Sequence, residues 1–240
     1  MWWIIVVIIG VFLVCLIIGI IVSTYSKNKL NNGDYKDGGG RFIGGNNYHS
    51  SFFMPADDRA GKEGEYQTNY YLRPLLRNDE YILANILVPL KNGYKSEIDT
   101  LLISRKGIFC IETKKWVGHI SGSDNDEYWY QRYDDPYMAD KSHKNPVKQN
   151  DSHCRNIKWL LRNRFDVKNI VIFVDIEDSQ QIYSRYAYSI EGFRNYYRSL
   201  PDDVLTIEQV GAIFETLKGY VASEEELKQH QEEIKYRHQA

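Results

Sequence analysis

The stretch Glu97 to Lys114 constrains this chain more than any other. Two β-branched, apolar runs, Glu97-Ile98-Asp99-Thr100-Leu101-Leu102-Ile103-Ser104 and Gly107-Ile108-Phe109-Cys110-Ile111-Glu112-Thr113-Lys114, are separated by Arg105-Lys106. That is the pattern of a tight hairpin. With this turn Ser104 pairs with Gly107, and Asp99 falls opposite Glu112. Opposed side chains on antiparallel strands have Cβ atoms about 4.5–5.5 Å apart and share a face. Two carboxylates held so closely repel unless a cation or a shared proton lies between them. Lys114, two residues beyond Glu112, points to the same face. An ion pair to either acid would account for the lysine. It would not account for two facing acids in a mostly apolar hairpin, so the pattern predicts a metal-and-lysine site.

The rest of the chain sets the frame for that hairpin. Its 240 residues leave room for one globular domain with appendages. A net charge of −2 excludes a protein that coats nucleic acid by overall charge, so any such binding must come from a local patch. Three dispersed cysteines, Cys15, Cys110 and Cys154, make neither a disulfide framework nor a CxxC metal motif. They fit a reducing compartment.

Trp2 to Val22 holds 21 residues without a charge, enough to span roughly 30 Å of hydrocarbon as a helix. The run is longer than a signal-peptide core and lacks a basic start. Lys27 and Lys29 follow it, which places the C-terminal side in the cytoplasm by the positive-inside rule. The expectation is a single-pass cell-membrane protein: residues 1–25 a transmembrane helix in the bilayer, 26–59 a flexible Gly- and Asn-rich linker, 60–175 the core, and 176–240 a C-terminal helical extension.

Along the core, a helix is expected from Gly61 to about Asn78 and a strand over Ile82 to Leu90. The hairpin follows, then strands near Trp116–Gly122 and Tyr128–Tyr130. Asn145-Pro146 opens a helix to about Phe165, with Asn as cap and Pro in the first turn. Asn169 to Asp175 reads as a strand buried on both faces, and Tyr186 to Ser189 as a further short one. Thr206 with Gln209 and Ser223 with Glu226 make capping boxes for two last helices. Strands in the middle with helices on either side predict an α/β fold with a mixed central sheet.

From Lys141 to Lys168 there are eight Lys or Arg against two acids. Such a local excess is a candidate phosphate-binding face, or simply a solvated helix face. Gln149 and His153 lie one turn apart on this helix.

These residues together resemble the nuclease-related (NERD) branch of the PD-(D/E)XK nuclease superfamily. The likeness is carried by Gly61-x-x-Gly64-Glu65, Glu97-Ile98-Asp99, Gly107-x-Phe109-x-Ile111-Glu112-x-Lys114 and Gly118-x-Ile120-x-Gly122. Trp129 and Asn145-Pro146-x-x-Gln149 with His153 extend it. Ile98 stands where the superfamily motif has its proline. The resemblance implies a restriction-endonuclease-like core that hydrolyses phosphodiester bonds in DNA or RNA with Mg²⁺ or Mn²⁺. It implies that Asp99, Glu112 and the carbonyl of Thr113 hold the ion, with Glu65 adding a ligand through water. Lys114 would position the attacking water and offset transition-state charge, and Gln149 would orient water or phosphate. Lys148, Arg155, Lys158 and His153 would grip the backbone phosphates. The alternative is a catalytically inactive nuclease-fold module that binds nucleic acid or a protein at the membrane.

Overall fold

The two runs around Asp99 form the antiparallel pair expected of them: β3 (Lys95–Ser104) and β4 (Gly107–Lys114) meet with Ser104 opposite Gly107 and Thr100 opposite Ile111. Gly107 closes the turn at φ +128°, a region in which glycine carries no Cβ penalty. A computed structural model describes residues 40–44, 56–176 and 181–239 of the chain, all within one compact unit. The expected membrane span and most of the linker lie outside the described residues. Among the described residues, no helix is long and apolar enough to cross a membrane.

Six strands make the main sheet, in the order β1-β2-β3-β4-β8-β10. They are β1 (Arg41–Ile43), β2 (Tyr81–Pro89), the β3–β4 hairpin, β8 (Val167–Phe173) and β10 (Ala187–Ser189). β3 is antiparallel to both its neighbours, β2 and β4, whereas β8 runs parallel to β4 and to β10. The fold is therefore mixed α/β. A smaller sheet, β7-β6-β5-β9, is built from β5 (His119–Ser123), β6 (Tyr128–Arg132), β7 (Lys141–Lys144) and β9 (Ile182–Tyr183). It packs through Ile120 and Trp129 onto Val171 and Phe173 of β8.

Helices cover both faces of the main sheet, as its apolar strands require. On one face lie α2 (Pro146–Leu160) and α4 (Ile207–Leu217), which bury Cys154, Ile157, Val210, Ile213 and Leu217 against Leu83, Leu101, Ile103 and Ile108. On the other, α1 (Ala56–Leu72) and α3 (Ile190–Ser199) bury Leu72, Phe193 and Tyr197 against Leu102, Phe109 and Ile111. The C-terminal helix α5 (Glu224–Gln239) sits by the end of β2, where Leu227 and Ala222 enclose Leu87.

The caps behave as their sequences dictate. The Asn145 side chain accepts from the amides of Val147 and Lys148, and Thr206 with Gln209 closes a reciprocal box. α2 stops at Leu160 rather than near Phe165, because Arg162 and Asn163 take left-handed backbone, at φ +54° and +56°. Four elements carry no expectation from the sequence: β1, which pairs with β2 although it lies within the span expected as linker, the two-residue β9, β7 and α3. β7 is Lys-Ser-His-Lys, a polar run that pairs with β6 through its backbone and through a 2.8 Å hydrogen bond between His143 Nε2 and Gln131 Oε1. α3, with Gly and Asn inside it, is capped by Ser189 and held by the burial of Phe193 and Tyr197.

One irregularity sets the strands around Asp99. Leu83 and Leu101 face each other and enter one core; so do Ile86 and Ile98, although strict alternation would send them to opposite faces. The reversal falls at Asn85, which sits mid-strand at φ +57°, where Asp99 is its position-mate on β3.

Candidate active site

The β3–β4 ladder ends at Thr100 and Ile111, and beyond it the Asp99 side chain takes over. Its Oδ2 accepts the Thr113 backbone N–H at 2.9 Å. Asp99 thus lies beside the end of β4 instead of in a plain cross-strand pair with Glu112. On β4, Glu112 is buried and its Oε1 accepts from Lys114 Nζ at 2.6 Å and from Gln149 Nε2 at 2.8 Å. Gln149 Oε1 stands 3.5 Å from the same ammonium. The other Glu112 oxygen, Oε2, lies 3.6 Å from His153 Nε2, and His153 Nδ1 shares a 2.9 Å hydrogen bond with Ser96 Oγ on β3.

A cavity of about 630 Å³ opens on this cluster, with Glu65, Glu97, Asp99, Gln149 and His153 among its lining residues. Glu65 reaches it from α1. That helix can approach β4 because Gly64 offers no side chain: a Cβ there would stand 3.0 Å from Lys115 Cβ and 3.3 Å from Thr113 Cγ2. Gly61 meets nothing within 4 Å, so its place in the motif has no packing reason. α2 is pinned by Asn150, fully buried, whose Nδ2 donates to the carbonyls of Cys110 and Ile170 and to Asn169 Oδ1. This places Gln149 and His153, its neighbours on α2, over Glu112.

The electrostatics follow from crowding acids in a confined space. Burial, then Glu97 and Glu112, push the Glu65 carboxyl up to about 7. Asp99 is held well above the usual carboxylate range by burial, then by Glu112 and Glu65. Burial works against a charge on Lys114 as well, but Glu112 and Asp99 outweigh it and its pKa stands raised. Lys114 is therefore an ammonium at neutral pH, suited to stabilising negative charge and not to accepting a proton. His153 is pushed down by burial and is neutral there.

The cluster brings together Asp99, Glu112, Lys114, Glu65, Gln149 and His153. His153 faces inward to the acids, away from the outer face of α2. The other basic residues stand apart and already have partners. Lys148 Nζ donates to the Asn125 carbonyl at 2.8 Å, Arg155 is paired with Asp151, and Lys158 meets Asp166 at 2.6 Å. Each would have to exchange that partner for a phosphate. Glu97 is the acid whose role sequence reasoning passed over, naming it only as part of a motif. Its position two residues before Asp99 was the available signal.

Residues 60–174 match the nuclease-related domain, NERD. The chain is also 27% identical, over 187 residues, to an uncharacterized protein of Bacillus anthracis, an alignment that covers 74% of this chain and 84% of that one. No solved structure matches. The NERD segment opens within α1, which carries Glu65, and closes just after β8. It thus holds every residue of the cluster and leaves α3, α4 and α5 outside.

The donors present suit a hard divalent ion. Asp99 and Glu112 each offer a carboxylate, held next to one another by the Thr113 N–H on one and by Lys114 and Gln149 on the other. The acids raise one another's cost of ionisation, which a cation would relieve. Among the described residues, no three His, Cys, Asp or Glu side chains stand close enough to hold a metal ion by themselves. The set fits Mg²⁺ or Mn²⁺, which are bound by one or two carboxylates and retain several waters.

Proposed function

We propose that this protein is a divalent-metal-dependent phosphodiesterase acting on nucleic acid, tethered to the cell membrane through residues 2–22 with its soluble part in the cytoplasm. The observation that carries the reading is the Glu112–Lys114–Gln149 cluster, which reaches through Gln149 the cavity that Asp99 and Glu65 line, all within the residues that match NERD. Asp99, Glu112 and the Thr113 carbonyl would hold Mg²⁺ or Mn²⁺, with Glu65 bound through water. The chemistry such an ion supplies when bound is polarisation of the scissile phosphate and acidification of a water. Lys114, an ammonium next to Glu112, would offset the charge that develops on the phosphate oxygens. Gln149 bridges Glu112 and Lys114 and so sets the orientation of both. His153, neutral and anchored by Ser96, limits how far Glu112 can swing.

The second reading is a nuclease-fold module without the reaction, binding nucleic acid or a protein partner. It is favoured by the fact that Glu112 already has its charge met by Lys114 at 2.6 Å, so its carboxylate needs no ion. The two readings part on one assay. Full-length protein in detergent is incubated with labelled single- and double-stranded DNA and RNA, with Mg²⁺, Mn²⁺ or EDTA, beside Asp99→Asn. Cleavage that requires metal and is lost in Asp99→Asn establishes the phosphodiesterase; cleavage equal in both proteins rejects it.

A further inference from the structure

The cavity over the acidic cluster has a second wall that the NERD segment does not supply. His230, Gln231, Ile234 and Arg237 of α5 line it together with Glu65 and Asp99. Their spacing puts them on one face of the helix. α5 is rich in glutamate, with Glu224, Glu225, Glu226, Glu232 and Glu233, yet none of these lines the cavity. The helix turns its acids away and presents His, Gln, Ile and Arg to the site. Lys62 and Lys95 line the same space.

The wall is fastened in place. The Ala222 amide donates to the Asn85 carbonyl at 2.9 Å, at the point where β2 reverses its faces. Ser223 and Glu226 cap the helix, and Leu227 is buried against Leu87. Arg237 lies with its guanidinium 4.3 Å from the centre of the Tyr94 ring. His230 is 3% exposed, and its Nδ1 has no hydrogen-bond partner in the structure. A buried ring nitrogen without a partner carries a cost; the atom is shielded where it stands, and a turn of the ring toward the cavity would bring it to a ligand oxygen or N–H.

We propose that α5 forms the substrate wall of the active site and that the walled cavity takes a single nucleic-acid strand, with Arg237, Lys95 and Lys62 set for its phosphates and His230 for a polar group of the same nucleotide. This rests on the phosphodiesterase reading for the nature of the ligand. The acids Glu65, Glu97 and Asp99 line the cavity together with Lys62, Lys95 and Arg237, so one space offers both the carboxylates for an ion and the cations for a phosphate. The space is open to solvent and about 630 Å³, the size of a small-ligand site, room for a nucleotide of one strand and not for a base pair with both its backbones. A double helix, with two charged backbones flanking its base pairs, needs a wider groove; one splayed strand does not.

The test is fluorescence anisotropy of full-length protein in detergent with a short fluorescein-labelled oligothymidylate, alone or annealed to its complement, in Ca²⁺, which takes the same oxygen ligands, with the strand checked by gel to be intact afterwards. The single strand should bind at least about tenfold more tightly than the duplex. Arg237→Ala, an exposed position, and His230→Gln should each weaken single-strand binding by about tenfold, the loss expected for one charge-assisted or buried hydrogen bond. Lys228→Ala, outside the cavity on the same helix, should leave it unchanged. Single-strand affinity that survives Arg237→Ala, or a duplex that binds as tightly as the strand, overturns the proposal. Metal-dependent cleavage without an effect of the α5 variants would leave the phosphodiesterase standing and remove only this wall. Variant-sensitive binding without cleavage would do the reverse.

Discussion

Asn85, at φ +57° in the middle of β2, is the cross-strand position-mate of Asp99. The left-handed residue reverses which face the strand pair presents, and the reversal frees Asp99 from the regular alternation. Its carboxylate then serves as the acceptor for Thr113 N–H where the ladder has ended. The same residue offers its carbonyl to Ala222 and so fixes the start of α5. One backbone irregularity thus sets both Asp99 and the second wall of the cavity.

Asn is among the few residues that take this conformation at low cost. Asn85→Val should lower the free energy of unfolding by about 1–2 kcal/mol in a urea titration, whereas Asn85→Gly, which suits the backbone, should cost less. Activity should fall further in the Val variant than its stability loss explains, because Asp99 moves with the kink. Equal stability of the two variants would mean that the backbone at residue 85 is not under this constraint.

Asn150 ties α2 to two strands at once, through the Cys110 and Ile170 carbonyls and Asn169. Asn150→Leu leaves those buried acceptors without a donor, at a cost of about 1–3 kcal/mol for a buried group left unsatisfied. The melting temperature should drop. Where the protein remains folded, metal-dependent turnover should drop with it, since Gln149 and His153 ride on the same helix. A melting curve indistinguishable from wild type would show that α2 is held by its apolar face alone.

The carboxylate cluster gives the metal-free protein a distinctive pH response. Glu65 is raised to about 7 in the folded chain from an ordinary 4.5, so the folded state keeps a proton that the unfolded state has released. That contribution is fully present below about pH 4.5 and is lost as pH rises through about 7. Burial lowers His153 and His230, which oppose it by costing stability below their ordinary 6.5. The difference between wild type and Glu65→Gln isolates the glutamate. In EDTA, wild type should lose stability relative to Glu65→Gln as pH is raised from about 5 to about 8. Mn²⁺ should reduce that loss, because a bound cation favours the ionised acids. Parallel curves would show that Glu65 titrates as it does in water.

Much of this could be read from the amino-acid order, for reasons that differ by element. The hairpin was legible because a two-residue turn leaves only one register that keeps Leu101, Ile103, Ile108 and Cys110 on a common face. Gly118 and Gly122 were legible as motif letters. Only the structure gives their causes: φ +84° with the Arg132 carbonyl in the way at Gly118, and the Trp129 ring pressed on Gly122. The kink at Asn85 was not legible, since a lone Asn in an apolar strand carries no period. α5 as a wall was not legible either. Its capping box announced a helix, but whether the face bearing His230 and Arg237 meets solvent or the site depends on the 2.9 Å bond from Ala222 to Asn85, remote in sequence.

Lys114 is where the two functional readings make opposite demands. If it stabilises charge on the reacting phosphate, Lys114→Met should reduce kcat by about 10²–10³-fold, the usual loss when a preorganised donor is removed. KM should change little. Its removal also strips the buried Glu112 of its cation, so the variant should bind Mn²⁺ at least as tightly as wild type, measured by isothermal titration. If Lys114 serves only to neutralise Glu112 in an inactive fold, Lys114→Met is destabilised, as leaving a buried carboxylate unpaired demands, and adding Mn²⁺ does not restore its melting temperature. Lost turnover with retained or tightened Mn²⁺ binding would assign Lys114 to the transition state; lost stability that Mn²⁺ cannot restore would assign it to the fold.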